Sequence, residues 1–401
     1  MKNKFSIVYF GDVYDVNGVN FVTNLFVQGK DIFSSNELSF EGIFCKNGLI
    51  DIKETYSLAI GKHINDKSYH WKRRVRMILS KIISSSNAKN AWFKINNSMI
   101  NPAKSVIDHN ISNLNQNDIL VFQDIFTAYF YHIHPKRNEK VKTVLILHCD
   151  KEPFGQLLSY YPSIIETKYN VFLNQVKKEV YEKISKVVFL SKKTLDYNID
   201  IIEKASYIYN GINDLETIID DSDEFFNIVC LGSIVGHKGQ ELVLKALKQM
   251  PNHILNNIRL HLIGEGPKEK ELKSFVEKEK LSHNVIFYGV RNDVDILLRK
   301  MDLMILASKS EGMPISIIEG MRQGMFILAT NVGGIEEMIK PAYGSFIERD
   351  LADIMGKIKS VFYQSNKNYK KCARKAFLEN FTIEEMSNKY SQLFLELLDV
   401  K

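Results

Sequence analysis

Short apolar runs recur along the chain and alternate with segments of helical periodicity. In the N-terminal half they cover residues 5–10, 119–122, 144–147 and 187–190, each followed by a glycine or a polar residue. Continuous apolar runs of this length are typical of parallel strands that are covered on both faces. Because helical stretches lie between them, the pattern predicts β–α–β crossovers and a doubly wound sheet.

The same rhythm restarts after an acidic, polar stretch at residues 214–224. The pattern there predicts strands at 226–231, 258–263, 285–288, 303–306 and 326–329, and helices that include 241–250, 268–280 and 383–398. We therefore predict an α/β protein with two Rossmann-like doubly wound domains. Their ranges are 1–210 and 211–380, with 381–401 as a C-terminal helix that crosses back to the first domain. Since ligands of open α/β sheets bind at the carboxyl ends of strands, we expect the two domains to face a central cleft.

Length and composition agree with two globular domains. The chain has 401 residues, of which 45% are hydrophobic and 25% charged, and about 200 residues is an ordinary domain size. A net charge of +6 is too small for a dedicated nucleic-acid-binding protein. The cysteines show no metal-ligand or disulfide spacing, which predicts reduced core thiols in a cytoplasmic protein; they are Cys45, Cys149, Cys230 and Cys372.

The start of the chain does not resemble a signal peptide. Its first apolar run is very short and is followed by Asp12 and Asp15. No apolar run approaches the ~18 residues that a spanning helix needs. We therefore expect a cytoplasmic protein whose contact with the inner face of the cell membrane, if any, is peripheral.

The richest chemistry follows the strand predicted at 303–306. Two carboxylates, Glu311 and Glu319, are seven residues apart, with Gly312 and Pro314 after the first. Proline suits the first turn of a helix, and free N–H groups at a helix start bind phosphate. We expect Glu319 about two turns further along the same helix face. Carboxylates can bind hydroxyl groups, and N–H groups can bind anions. The two together match the chemistry of a nucleotide-sugar, which presents both hydroxyls and a diphosphate.

This segment resembles the E-x7-E signature of retaining glycosyltransferases of family 4, which have the GT-B fold. In that family the first Glu contacts the hydroxyls of the donor sugar and the second contacts the ribose. The resemblance implies those roles for Glu311 and Glu319, a diphosphate-binding role for Lys238, and a sugar contact for His148. It thus implies that Glu311, His148 and Lys238 are the catalytic residues.

Further motifs follow in family order. They are the sequences YNGIN at 209–213, LGS at 231–233 with HKG at 237–239, LIGEGP at 262–267, FYGV at 287–290 and NVGGIEE at 331–337. In the N-terminal half, residues 17–20 stand where the family has a glycine loop. The resemblance assigns donor binding to Gly18, Asn210, Gly232, Ser233, Lys238, Gly264, Gly289, Val290, Gly312, Met313, Pro314, Ile315 and Glu319.

Ser233 departs from the family pattern. Many members carry an arginine at this position, beside the phosphates. Serine supplies neither the charge nor the two-point geometry of a guanidinium. Either Lys238 and helix N-termini suffice, or His237 or another cation contributes, or donor binding is weak.

Residues 67–81 form a basic amphipathic stretch without an acidic residue. Such a pattern either lies on an anionic membrane or binds a lipid-diphosphate acceptor, or is a solvated helix with one apolar face on the core. The predicted contacts are Trp71, Lys72, Arg73, Arg74 and Arg76.

The sequence Asp293-Val294-Asp295 has the form of a metal-binding D-x-D motif. We interpret it as the polar start of a helix, and we expect neither a metal nor a cofactor.

The resemblance implies retaining transfer of a hexose from a nucleotide-diphosphate sugar, with UDP as the commonest carrier. The expected acceptor is a glycan or a polyprenyl-diphosphate-linked glycan in bacterial surface polysaccharide or glycoconjugate assembly. Two alternatives stay open: a non-catalytic GT-B partner subunit of another transferase, and a GT-B sugar-nucleotide epimerase.

Overall fold

A computed structural model describes residues 2–11, 18–45, 48–50, 87–215, 224–364 and 368–399, without the side chains of residues 18–21, 48 and 50. The chain divides into two compact units. Unit 1 comprises Met1–Gly211 and Ile383–Lys401, and unit 2 comprises Ile212–Thr382.

Unit 1 is built on a sheet of seven strands in the order β3-β2-β1-β4-β5-β6-β7. All neighbours are parallel except β2 and β3, which pair antiparallel. The strands are β1 (Asn3–Val8), β2 (Leu38–Cys45), β3 (Gly48–Ile50), β4 (Ile119–Phe122), β5 (Lys142–Leu147), β6 (Lys186–Phe189) and β7 (Ala205–Tyr207).

Helices connect these strands. They are α1 (Gly18–Gln28), α2 (Lys30–Ser35), α3 (Ala88–Ile95), which runs through a π-helical turn at Asn96–Ile100 into α4 (Asn101–Leu114), α5 (Ile125–Ile133), α6 (Gly155–Tyr160), α7 (Lys168–Lys183) and α8 (Lys192–Tyr197), with 3-10 turns at Pro162–Ile164 and Ile199–Lys204.

Unit 2 repeats the architecture with a parallel sheet in the order β10-β9-β8-β11-β12-β13. Its strands are β8 (Phe226–Leu231), β9 (Ile258–Ile263), β10 (Val285–Gly289), β11 (Leu303–Leu306), β12 (Phe326–Thr330) and β13 (Gly344–Ile347). Its helices are α9 (Gln240–Lys248), α10 (Asn252–Leu255), α11 (Glu269–Lys278), α12 (Val294–Leu298), α13 (Ile315–Arg322), α14 (Ile335–Met338), α15 (Leu351–Phe362) and α16 (Tyr369–Asn380).

The last helix, α17 (Ile383–Leu397), packs in unit 1 through an aromatic cluster. The ring of Tyr390 lies 4.8 Å from that of Phe26, and the ring of Phe394 lies 5.0 Å from that of Phe5. Tyr390 and Phe394 are almost fully buried, and burying such side chains stabilises a fold by about 1.5–3 kcal/mol each. The C-terminal segment is therefore part of the core of unit 1.

The predicted α/β class with two doubly wound sheets is confirmed, but some details of the prediction are wrong. The first strand is Asn3–Val8, two residues earlier than expected, because Asn3 and Lys4 pair with β2 through their main chain. β2, β3, β7 and β13 were not predicted. Cys45, Cys149 and Cys230 are buried free thiols as expected, whereas Cys372 on α16 is partly exposed.

Within the described ranges, no helix is both long and apolar enough to cross a bilayer.

Three glycines let the carboxyl ends of β8, β9 and β10 approach each other closely. Gly264 has φ +129°, and a Cβ atom there would lie 2.2 Å from the carbonyl oxygen of Gly232. The N–H of Gly264 also donates to the carbonyl of Gly289 at 2.8 Å. This close approach is possible only without a side chain at residue 264.

We expect Gly264→Ala to destabilise the protein by on the order of 2 kcal/mol, because the new methyl group meets backbone and the φ angle is strained. Gly356→Ala is the matched control. Gly356 lies inside α15, where an added methyl group would have nothing within 4 Å, so alanine there should be neutral or stabilise by up to ~1 kcal/mol. Calorimetric unfolding of both variants checks this, and equal melting curves would contradict it.

Candidate active site

An ion pair joins two loops of unit 2 at the carboxyl edge of its sheet. Lys238 follows β8 and Glu311 follows the adjacent strand β11. The Lys238 Nζ lies 2.6 Å from Glu311 Oε1, and the Ser308 hydroxyl donates to the same oxygen at 2.6 Å. The side chains of Lys238 and Glu311 are 20% and 9% exposed. The described residues make no hydrogen bond to Oε2 of Glu311, so this oxygen is available to a ligand hydroxyl.

Main-chain contacts hold these two loops together. Gly239 has φ +80°, and a Cβ atom there would lie 2.1 Å from the carbonyl oxygen of Ala307. The N–H of Lys309 donates to the carbonyl of His237 at 2.8 Å. Because these contacts join backbone to backbone, they fix the separation of the loops that carry Lys238 and Glu311.

Arg349, which was not predicted from the sequence, forms hydrogen bonds with both of these loops. It follows β13, and its guanidinium donates to the carbonyl of Ala307 and, at 3.5 Å, to that of His237. Only its position shortly after a strand end, where ligands of α/β sheets bind, could have indicated it.

The turn after Glu311 differs from the expected geometry. α13 begins at Ile315, with Pro314 as its N-cap residue. Glu311 therefore lies in the loop before the helix, and the prediction of one helix face carrying both carboxylates is wrong. The loop is closed by a hydrogen bond from the N–H of Gly334 to the carbonyl of Gly312 at 2.8 Å.

Glu319 lies in α13 in a poorly solvated position. Burial raises its pKa to about 7, with Arg322 opposing the rise and Asp295 adding to it. Arg322 pairs with Asp295 and donates to the carbonyl of Asn213 at 2.9 Å. No hydrogen bond to the Glu319 carboxylate comes from the part of the chain that the structure describes. Glu319 is thus a carboxyl group that titrates near neutral pH and has no hydrogen-bond partner among those residues.

A second residue set that was not predicted lies beside Gly289 and Val290. Asn227 donates through its Nδ2 to the carbonyl of Phe225 at 3.2 Å, so its Oδ1 faces His261 Nε2 at 2.9 Å. His261 Nδ1 then lies 3.0 Å from the Tyr288 hydroxyl. Since Oδ1 only accepts, His261 donates through Nε2, and Tyr288 donates to Nδ1. This directed chain anchors the residue that precedes the Gly289–Val290 loop.

The other predicted donor-binding residues of unit 2 surround these features. Gly232 has φ +134° and Gly289 has φ +68°, and in each case a Cβ atom would have nothing within 4 Å. The carbonyl of Ser233 accepts a hydrogen bond from Gln240 Nε2 at 3.0 Å. Met313 and Pro314 are buried, while Val290, Gly312 and Ile315 are partly exposed.

In unit 1, His148 follows β5 and contacts the residue that follows β4. Its Nε2 lies 2.7 Å from Oε1 of Gln123, and burial lowers the pKa of His148 to about 4. Of the other predicted residues of this unit, Gly18 is the first residue of α1 and Asn210 is buried shortly before the unit ends.

Comparisons with known proteins identify a family match within unit 2. Residues 217–378 match the family model described as glycosyl transferases group 1. Unit 2 carries a group 1 glycosyltransferase domain. The resemblance inferred from the motifs is confirmed at this level.

Relatives of this chain occur in bacteria and archaea. An uncharacterized glycosyltransferase of Methanocaldococcus jannaschii is 30% identical over 168 residues, which cover 41% of this chain and 45% of the relative. The O-antigen biosynthesis glycosyltransferase WclY of Escherichia coli is 24% identical over 226 residues, which cover 53% of this chain and 62% of the relative. The aligned regions span less than two thirds of either relative.

The fold of the whole chain is that of GT-B glycosyltransferases. The crystal structure of Anabaena HepE in complex with UDP superposes with a TM-score of 0.69 at 15% identity and covers 99% of this chain and 100% of HepE. At this identity, the likeness shows the fold alone.

The D-x-D sequence, Asp293-Val294-Asp295, lies at the start of α12 and is paired with arginines. Arg291 binds Asp293 through two hydrogen bonds, of 2.7 and 2.6 Å, and Arg322 pairs with Asp295. Asp293 is the N-cap residue of α12 but makes no side-chain cap hydrogen bond. Both carboxylates of the transferase domain's D-x-D sequence thus have an arginine partner.

The predicted membrane or acceptor contacts lie outside the described residues, as does Asn17 of the predicted glycine loop. These contacts are Trp71, Lys72, Arg73, Arg74 and Arg76.

We expect Glu319 to make the stability of the transferase domain depend on pH. An unfolded glutamate ionises near its ordinary pKa of 4.5, whereas folded Glu319 holds its proton to about 7. Between these pH values, Glu319 is ionised in the unfolded chain but still protonated in the folded chain. The free energy of unfolding therefore falls across this window, by at most about 3.5 kcal/mol at ~1.4 kcal/mol per tenfold change.

Glu319→Gln should remove this fall, so that the variant gains stability over the wild type as pH rises from about 4.5 to about 7. Chemical denaturation at several pH values measures the difference. Glu277→Gln, on the exposed face of α11, is the control and should follow the wild type. Parallel curves for Glu319→Gln and the wild type would rule out a raised pKa.

Proposed function

We propose that this chain is a retaining glycosyltransferase that moves a hexose from a UDP-sugar to a glycan or lipid-linked glycan acceptor. The observation that carries the proposal is the Lys238–Glu311 pair, which brings a cation for phosphate and a carboxylate for sugar hydroxyls to one sheet edge. The group 1 domain and the fold support it.

The charges around His237 suit a diphosphate. Burial lowers the pKa of His237, and Lys238, Arg349 and Lys309 lower it further, whereas Glu311 acts in the opposite direction. Three cations against one carboxylate leave a net positive loop. In the proposed reaction, the bond between the sugar carbon and the diphosphate oxygen breaks, and Lys238 stabilises the charge that grows on the leaving group.

The geometry of the transferase domain supports two further donor contacts. Oε2 of Glu311 accepts a hydrogen bond from a sugar hydroxyl, and the Glu319 carboxyl group binds the ribose diol. The acceptor hydroxyl oxygen bonds to the sugar carbon on the face that the diphosphate leaves, and its proton passes to the departing phosphate oxygen. Fixing the sugar in this geometry lowers the barrier because the reacting atoms are already aligned.

The identity of the donor and the biological role are proposed by analogy. HepE was solved with UDP and also with UDP-glucose, which favours a uracil nucleotide here. The relative WclY is a glycosyltransferase of O-antigen biosynthesis, which favours bacterial surface polysaccharide assembly. We propose that the reaction needs no metal and that the basic stretch at 67–81 contacts an anionic membrane or a lipid-diphosphate acceptor.

The serine at residue 233 is compatible with one alternative function. A chain with serine in place of a phosphate-binding arginine could be a partner subunit of another transferase that binds no donor. Donor binding separates the two functions directly.

We expect micromolar binding of one UDP-sugar in calorimetric titrations of a panel of UDP- and GDP-sugars with EDTA present, followed by slow release of free nucleotide. Glu311→Ala should reduce this turnover by about hundredfold, because the sugar loses a positioning contact.

Glu277→Ala, which removes an exposed carboxylate of α11, is the matched control and should retain the wild-type turnover. Failure of the wild type to bind any donor would reject the transferase and support the partner subunit. Binding that is lost with EDTA and restored by a divalent cation would reject metal independence.

A further inference from the structure

Two polar side chains meet at the carboxyl edge of the unit 1 sheet, where two adjacent parallel strands end. Gln123 follows β4 and His148 follows β5, and His148 Nε2 lies 2.7 Å from Gln123 Oε1. Gln123 is only 3% exposed. The surrounding strand ends are apolar, so this contact is a buried side-chain hydrogen bond in the part of the sheet where ligands of α/β proteins bind.

The contact determines which imidazole nitrogen carries the proton. An amide oxygen only accepts, so His148 donates through Nε2. In the neutral ring, Nδ1 is then an acceptor. His148 thus offers a lone pair, not an N–H group, to anything that approaches Nδ1.

The Gln123 amide has a second polar group, its Nε2. This nitrogen is buried and has no hydrogen-bond partner among the described residues. Buried polar groups are nearly always paired, so among the described residues this nitrogen lacks the partner that such groups usually have.

Charged neighbours do not alter this picture. Burial alone accounts for the lowered pKa of His148. Asp124, next to Gln123, is the N-cap residue of α5 and accepts hydrogen bonds from the N–H and hydroxyl of Thr127. The Cys149 thiol lies 3.8 Å from the carbonyl of Lys151, and burial raises its pKa to about 12. The main-chain carbonyl of Asp150 accepts a hydrogen bond from the Thr194 hydroxyl.

We infer that Gln123 is a positioning residue that holds His148 as the neutral Nε2–H tautomer, so that Nδ1 of His148 accepts a hydrogen bond from a sugar hydroxyl. A lone pair on a neutral ring matches a hydroxyl, which donates to it, and does not match a phosphate, which only accepts. The ligand assignment rests on the proposed function, whereas the tautomer does not.

The tautomer is tested on the full chain by NMR of ¹⁵N-labelled histidine, with His148→Ala used to assign the signal. In the wild type we expect a neutral ring protonated at Nε2, without titration between pH ~6 and ~8.5. Gln123→Glu places a carboxylate against the ring, which should raise the pKa of His148 into this range.

Gln123→Leu should leave the ring neutral but without a fixed tautomer. Gln156→Glu, which adds the same charge at an exposed position of α6, should leave the His148 signal unchanged. A wild-type ring protonated at Nδ1, or a His148 signal that does not respond to Gln123→Glu, would overturn the positioning role.

Turnover then tests the ligand. Gln123→Glu should acquire a pH profile that rises with the loss of the His148 proton, and Gln123→Leu should raise the KM for the donor or acceptor roughly tenfold, as expected for one lost hydrogen bond. If the wild type transfers no sugar but the NMR result holds, the proposed function fails and the positioning role stands. Unchanged KM and pH profile in both variants of an active enzyme would overturn the sugar contact.

Discussion

The Lys238–Glu311 ion pair is the interaction on which the candidate site of unit 2 depends. It is largely shielded from water and shares one carboxylate oxygen with the Ser308 hydroxyl. A poorly solvated ion pair contributes little net stability, because the cost of removing two charges from water offsets their attraction. The role of the pair is instead geometric. It holds the Lys238 ammonium group and the Glu311 carboxylate, which belong to two different loops, next to each other.

Two glycines let the loops at this edge of the sheet pack backbone against backbone. Gly239 lies against the carbonyl of Ala307, and Gly264 lies against the carbonyl of Gly232. Each contact joins loops that follow neighbouring strands of the sheet, and each has a positive φ angle that a substituted residue would strain. The glycines that the sequence places after β8 and β9 are thus structural requirements of the site and not only room for a ligand.

The sequence predicted the parts of this architecture that depend on local pattern. β4, β8, β9 and β11 begin and end where the sequence predicted them, because strands that are covered on both faces are largely apolar. β2 was missed because its continuous apolar run covers only residues 43–45, and β1 was misplaced because Asn3 and Lys4 join the sheet by main-chain pairing. Gly239 and Glu311 were found from motif spacing, but Arg349 and the Asn227–His261–Tyr288 chain join residues far apart in sequence, which periodicity does not detect.

The distribution of charge explains how Ser233 is compatible with diphosphate binding. The guanidinium of Arg349 donates to main-chain carbonyls, and a neutral carbonyl orients a cation without cancelling its charge. Its positive charge therefore still acts on the loop, where burial and Lys238 lower the pKa of His237 and Arg349 adds to this effect. A family arginine at residue 233 would contact phosphate directly and in a fixed geometry, whereas Arg349 acts through its field and by holding the Lys238 loop in place. Under the proposed function, the diphosphate is therefore still attracted to this loop, and Lys238 and the backbone N–H groups that precede α13 orient it.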